Sequence, residues 1–254
     1  MFITYEVVPP RNPSLKGLLK RLDAITPYVS GLNVADTPLG MPRVSSATLS
    51  VLLKDRYGID VIPHLKTINH NEVGLLSLAY GLYAAGIRQF LVIRGDPPRK
   101  GTPVNSLSPE NAVNLLKGDT YLRDVQVGMG LGWSNRPKYL ERKVRARPDF
   151  LATQPFPSRE DALKFVKVID DLSSKVGYRP RVVATYVIPS PRNKAVLTAL
   201  SQASGLNYTS LLSRNLHEIA EDISFLLRTF DGVMLSSPND AEMVVKVLNL
   251  VEEG

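Results

Sequence analysis

The sequence predicts an α/β protein: a (β/α)8 TIM barrel, folded as one domain over residues 1–254. Three observations predict it. Short apolar runs alternate with helix-length amphipathic segments along the whole chain. The runs mostly start roughly 25–35 residues apart, the length of one βα unit. Eight such units in about 250 residues match the size of a closed barrel. An open doubly wound sheet is the main rival. It usually carries a glycine-rich phosphate turn after its first strand, and here that turn reads VVPPRNPS.

The strands are expected at 2–8, 30–35, 59–65, 89–94, 124–130, 149–154, 181–188 and 232–236. Runs such as FLVI, FLA and VVATYVI are almost wholly apolar, as expected of strands covered on both faces of a parallel sheet. Between them, Leu75, Leu78, Ala79 and Leu82 share one helical face. Ala162, Phe165, Val166 and Ile169 repeat that spacing, as do Val244, Val247, Leu248 and Val251. Helix starts are expected where Asn12 precedes Pro13, where Ser108 precedes Pro109, and where Ser158 stands three residues before Asp161. Gly86 marks a helix end. The last unit is longer and holds an extra helix between Asn207 and Arg228.

Composition narrows the function. With 44% apolar residues, 22% charged residues and no cysteine, the chain is neither collagen-like, disulfide-stapled nor charge-dominated. Thiolate metal sites and cysteine nucleophiles are excluded. His64, His70 and His217 are isolated from one another, so no metal site is expected. Lys plus Arg is 31 against 24 for Asp plus Glu, a net charge of +7, which favours anionic partners. The densest basic run, Arg136 to Arg147, is interleaved with Pro137, Tyr139, Leu140 and Val144. It reads as a solvated helix face that could attract phosphate, and nucleic acid is not an expected partner. No stretch approaches the ~20 apolar residues of a membrane span. The opening MFITYEVVPP lacks a basic flank and carries Glu6, so it is not a signal peptide, and a cytoplasmic protein is expected.

In such a barrel, chemistry belongs at the C-terminal ends of the strands. Glu6 is the informative residue there, because it interrupts the apolar run ITYEVV. It is either half of an ion pair with a neighbouring Arg, or a general acid kept protonated by desolvation. Asp96 follows IRG in a GDPP turn, where it caps a helix or faces the site, and Arg94 pairs with Glu6 or Asp96 or binds an anion. His64 closes the third strand, Gly130 with Trp133 the fifth, and Gln154 the sixth. A neutral amide such as Gln154 suits the donor and acceptor edge of a heterocycle.

The segments YEVVPPR, IPHL, VIRGDPP and FLATQPF, in that order at strand ends, together resemble the methylenetetrahydrofolate reductase family. The resemblance covers residues 1–190 well and the last strand more loosely. It implies a barrel carrying a flavin, usually FAD, that is reduced by NADH or NADPH and passes a hydride to a methylene-tetrahydropterin. By motif position, Glu6 would be the acid that opens the five-membered ring to an iminium. Asp96 would stabilise that cation and lie near the flavin. Gln154 would hold the pterin or nicotinamide. His64, Arg94, Gly95 and Lys143 would contact the flavin and its phosphates. A homo-oligomer is also implied.

Some positions depart from the family pattern. VGMGLGWSNRPK replaces a tyrosine-containing loop on the adenosine side, Arg136 stands where an acidic residue meets the ribose, and Asn193 replaces a stacking phenylalanine. The family's threonine at the end of strand two falls on Ala35 or Asp36. FMN or no flavin therefore stand as alternatives to FAD, and a modified, archaeal-type pterin as an alternative to folate. Two other readings stay open: a non-catalytic pterin- or flavin-binding subunit of a larger complex, and a flavin-independent reductase with direct hydride transfer.

Overall fold

The computed structural model describes residues 2–132 and 136–253. The strands are β1 (Ile3–Val7), β2 (Gly31–Val34), β3 (Asp60–Lys66), β4 (Gln89–Ile93), β5 (Gln126–Gly130), β6 (Phe150–Ala152), β7 (Arg181–Val187) and β8 (Gly232–Ser236). Each pairs in parallel with the next, and β8 pairs with β1 to close the barrel in sequence order.

The helices that follow are α1 (Lys16–Ile25), α2 (Ser46–Tyr57), α3 (Glu72–Ala84), α4 (Pro109–Gly118), α5 (Pro137–Arg145), α6 (Arg159–Val176) and α7 (Lys194–Ser204). Then come α8 (Leu216–Thr229) and, after β8, α9 (Ala241–Glu253). The extra helix expected between Asn207 and Arg228 is a short 3-10 turn, Thr209–Ser213, followed by α8. Asn215 and Glu218 start α8 with reciprocal side-chain-to-backbone bonds.

The alternation of strand side chains builds two cores. Outward residues such as Leu32, Val34, Phe90, Val92, Leu151, Val233 and Leu235 pack under the helices. The helical stripes read from the sequence supply the other half: Leu75, Ala79, Leu82, Ala162, Phe165, Ile169, Val244, Val247, Leu248 and Val251 are all buried there. Inward residues Ile62, Leu91, Phe150, Ala152, Val183 and Met234 fill the barrel itself. Gly128 on β5 makes room for Phe150, since a Cβ there would collide with the phenylalanine ring. Low in the barrel, Asn33 donates to Thr4 Oγ1 at 2.7 Å, so this inward polar pair satisfies itself.

Two start signals hold: the Ser108 and Ser158 hydroxyls accept from the N–H groups of Asn111 and Asp161. Gly86 ends α3 in the left-handed conformation (φ +81°), with Ile87 N–H bonded back to Leu82. One start signal does not hold. Asn12 caps only a local turn, accepting from Ser14 N–H, and α1 begins at Lys16. The buried stripe Leu18, Leu22 and Ile25 sets where this helix can dock, and it begins downstream of Pro13.

Candidate active site

Above the apolar fill, the C-terminal ends of the strands surround a cavity of about 920 Å³. That is near the upper end of the ~300–1,000 Å³ typical of ligand pockets. Glu6, His64, Arg94, Gly95, Asp96, Lys143 and Gln154 all line it. Residues that the sequence scatters over 149 positions are thus brought to one mouth by strand order alone. Trp133 lies outside the described residues.

Glu6 projects inward from β1. Ser236 on β8 donates to its Oε2 at 2.6 Å. Among the described residues no ion pair reaches it, which corrects the ion-pair alternative: Arg94 instead points to Asn105 Oδ1 at 3.5 Å. Burial raises the Glu6 carboxyl above its ordinary range, and the Ser236 hydroxyl offsets only part of this. A carboxyl whose neutral form is favoured, facing a cavity, is suited to proton donation.

His64 lies in the same cavity, 6% exposed, with no partner for Nε2 among the described residues. Burial depresses its pKa to about 4, so the ring is neutral at physiological pH. A buried, neutral, unpartnered nitrogen is unusual and suits a ligand's polar edge.

Asp96 is exposed at the rim and fixed from one side. Its Oδ2 accepts from Leu39 N–H at 2.7 Å. That loop is strained: Thr37 (φ +39°) and Leu39 (φ +63°) are both left-handed, a conformation that costs a non-glycine residue about 1 kcal/mol or more. It is clamped to the Asp96 turn by Arg99 N–H, which donates to Gly40 O at 2.9 Å. Gly40 (φ +66°) is required, because a Cβ would run into the Pro97 carbonyl. Gly95 is required for a similar reason: the side chain of fully buried Lys66 crosses where its Cβ would be. Lys66 Nζ donates to Thr37 Oγ1 at 3.1 Å and helps hold the same loop.

Gln154 Nε2 donates to Leu131 O at 2.8 Å, which leaves the carboxamide oxygen for a ligand N–H. Asn193, in place of the expected phenylalanine, is fully buried. It donates to Ile188 O at 3.0 Å and to Ser237 Oγ at 2.8 Å, so it ties loops together and does not line the cavity.

The basic run behaves in two ways. Arg145 pairs with Glu141 on the solvent side at 2.7 Å. Lys143, however, is buried and departs from a purely solvated face. Its Nζ lies 3.3 Å from Glu110 Oε1, which also accepts from Arg142 Nε at 2.7 Å. Glu110, on the first turn of α4, escaped the sequence reading. Its spacing from Val113, on the buried face of α4, was the available signal. In the sequence Ser236 is only a strand end; its bond to Glu6 depends on the closure of β8 onto β1.

A flavin fits this site unevenly. The ring end has an orphaned donor–acceptor in His64 Nε2. The end that the resemblance implies for the diphosphate fits poorly: Lys143 is already engaged by Glu110 there. Among the described residues no group of three or more His, Asp or Glu is arranged to hold a metal, and no helix is long and apolar enough to cross a membrane.

A family model described as methylenetetrahydrofolate reductase matches residues 1–222. The 5,10-methylenetetrahydrofolate reductase of Escherichia coli (strain K12) is 27% identical over 177 residues, 64% of this chain and 57% of that protein. A probable methylenetetrahydrofolate reductase (NADPH) of Caenorhabditis elegans is 25% identical over 184 residues, 65% of this chain and 28% of that protein. The chain thus matches little more than half of the bacterial relative and under a third of the nematode one. With a closed eight-stranded parallel barrel and a family match over most of its length, this chain belongs to the methylenetetrahydrofolate reductase family.

Proposed function

We propose that this chain reduces a methylene-tetrahydropterin, 5,10-methylenetetrahydrofolate or a related pterin, to its 5-methyl form, with NADH or NADPH as reductant. The observation that carries this reading is Glu6: an uncompensated, desolvated carboxyl on the cavity wall, held by Ser236. In its neutral form it delivers a proton to the ring nitrogen that leaves the methylene carbon. The remaining iminium carbon then accepts a hydride, and the nicotinamide is oxidised. The Asp96 carboxylate stabilises the iminium charge from the rim. Gln154 offers its carboxamide oxygen to the heterocycle edge.

A flavin, where bound, supplies two-electron carriage between nicotinamide and pterin. His64, Arg94, Gly95 and Asp96 are the residues that would hold its ring end. A second reading, direct hydride transfer from nicotinamide to pterin, is favoured by one observation, the Glu110–Lys143 pair at the phosphate end.

The test is a visible absorption spectrum of the purified protein, with and without added FAD or FMN, beside an assay of NAD(P)H-dependent methylene reduction. Turnover by a yellow protein supports the flavin route, and turnover by a colourless one supports direct transfer. Absence of turnover with every pterin tried, while the pterin still binds, contradicts the reductase reading and leaves the accessory-subunit alternative.

A further inference from the structure

The end of the cavity between α4 and α5 is built around one carboxylate. Glu110 and Lys143 are nearly shut off from solvent, with side chains 11% and 4% exposed, whereas Arg142 is 65% exposed. Lys143 Nζ also lies 3.6 Å from Met129 Sδ and 5.2 Å from the centroid of the Tyr139 ring. Glu110 therefore answers the buried cation, and the same Oε1 also takes the Nε of Arg142. Burial alone would push the Glu110 carboxyl up; its backbone hydrogen bond and the Lys143 and Arg142 charges outweigh this and hold it below its ordinary range. It is an anion at neutral pH.

We propose that Glu110 is a specificity-determining residue: by occupying Lys143 it closes this end of the cavity to a diphosphate and leaves it for an uncharged, hydroxyl-bearing group such as a ribose. The physics is one of competition. A diphosphate approaching Lys143 meets a carboxylate already there, and like charges in a poorly solvated site repel. Displacing Glu110 from Lys143 leaves a buried charge without its partner. A sugar diol meets neither obstacle, and a carboxylate is a good acceptor for its hydroxyls, as in ribose recognition by dinucleotide-binding folds. This inference rests on the reading of the cavity as a nucleotide-cofactor site.

The experiment measures ADP and adenosine binding by calorimetry to the wild type, to Glu110→Gln and to Glu110→Gln/Lys143→Met. The wild type should bind ADP no more tightly than adenosine. Glu110→Gln should bind ADP at least tenfold more tightly than the wild type, with adenosine unchanged. The added Lys143→Met should abolish the gain, which a merely structural role for Glu110 would not predict. Should the amide variant not fold, Glu110→Ser admits water to solvate Lys143 and carries the same expectation. A wild type that prefers ADP tenfold or more overturns the proposal, as does a Glu110 variant without a gain, or a gain that survives loss of Lys143. The reductase reading is scored separately by wild-type turnover, so either can fail alone.

Discussion

Two carboxylates line the same cavity and are driven in opposite directions. Glu6, between β1 and β8, has a hydroxyl for a partner and no cation among the described residues; burial wins, and its neutral form is favoured. Glu110, at the start of α4, is also withdrawn from water, but two cations answer it; charge wins, and its proton is lost. Burial therefore does not fix protonation. The neighbour decides whether desolvation produces an acid or an ion pair. Two titratable groups pushed apart in one site is the pattern by which acid and electrostatic roles separate. On the proposed reading, proton donation falls to one end of the cavity and ligand selection to the other.

The largest expected effect breaks the Glu6 side. Glu6→Gln keeps shape and removes the proton, and should lower kcat/KM for methylene reduction by about 10²–10⁴ with pterin binding retained. The same change should stabilise the fold. A carboxyl whose folded pKa is raised loses stability as pH climbs from its unfolded value, about 4.3, through its folded one. The Tm advantage of Glu6→Gln over the wild type should therefore widen across that window.

Next in size is His64. Its folded pKa of about 4 lies below the unfolded value near 6.5, so the unfolded chain takes up the proton first as pH falls. Between those two values the wild type should lose about 3 kcal/mol of stability, and His64→Gln should flatten that part of the curve in denaturant titrations. A curve of unchanged slope would show that the histidine is solvated after all.

Glu110→Ala strips the partner from a buried lysine and should cost about 3 kcal/mol, read as a fall in Tm. Glu110→Ala/Lys143→Met should recover part of it by placing apolar atoms beside Met129. The smallest effect sharpens the comparison. Ser236→Ala removes the only hydrogen bond that favours the Glu6 anion among the described residues. The Glu6 pKa should rise further, so the alkaline limb of the pH–rate profile moves to higher pH. A change of about fivefold in rate fits the loss of one hydrogen bond.

The barrel was legible because it is written in local pattern. Apolar runs and helical stripes at βα spacing specify which residues face the core, and strand bounds moved by only a few residues. The first helix start was misplaced because Asn12 and Pro13 also suit a free turn, and the docking of Leu22 and Ile25 decided the matter. In the site, Glu6 announced itself as a charge inside an apolar run. What surrounds it did not. Ser236 is 230 residues away and reaches Glu6 only through barrel closure. The pairing of Lys143 with Glu110 joins two helices, and each residue alone reads as an ordinary surface charge. The protonation states that separate the two ends are set by such long-range neighbours, so residue identity alone could not assign them.

The two ends of the cavity differ most if Glu6 keeps its proton at neutral pH while Glu110 is ionised. The most direct measurement is carboxyl infrared difference spectroscopy between the wild type and Glu6→Gln, titrated from acid to alkaline pH. A protonated carboxyl band is expected at neutral pH that vanishes in Glu6→Gln and persists in Glu110→Gln. A wild type whose Glu6 band is already lost near the ordinary carboxylate pKa would contradict it.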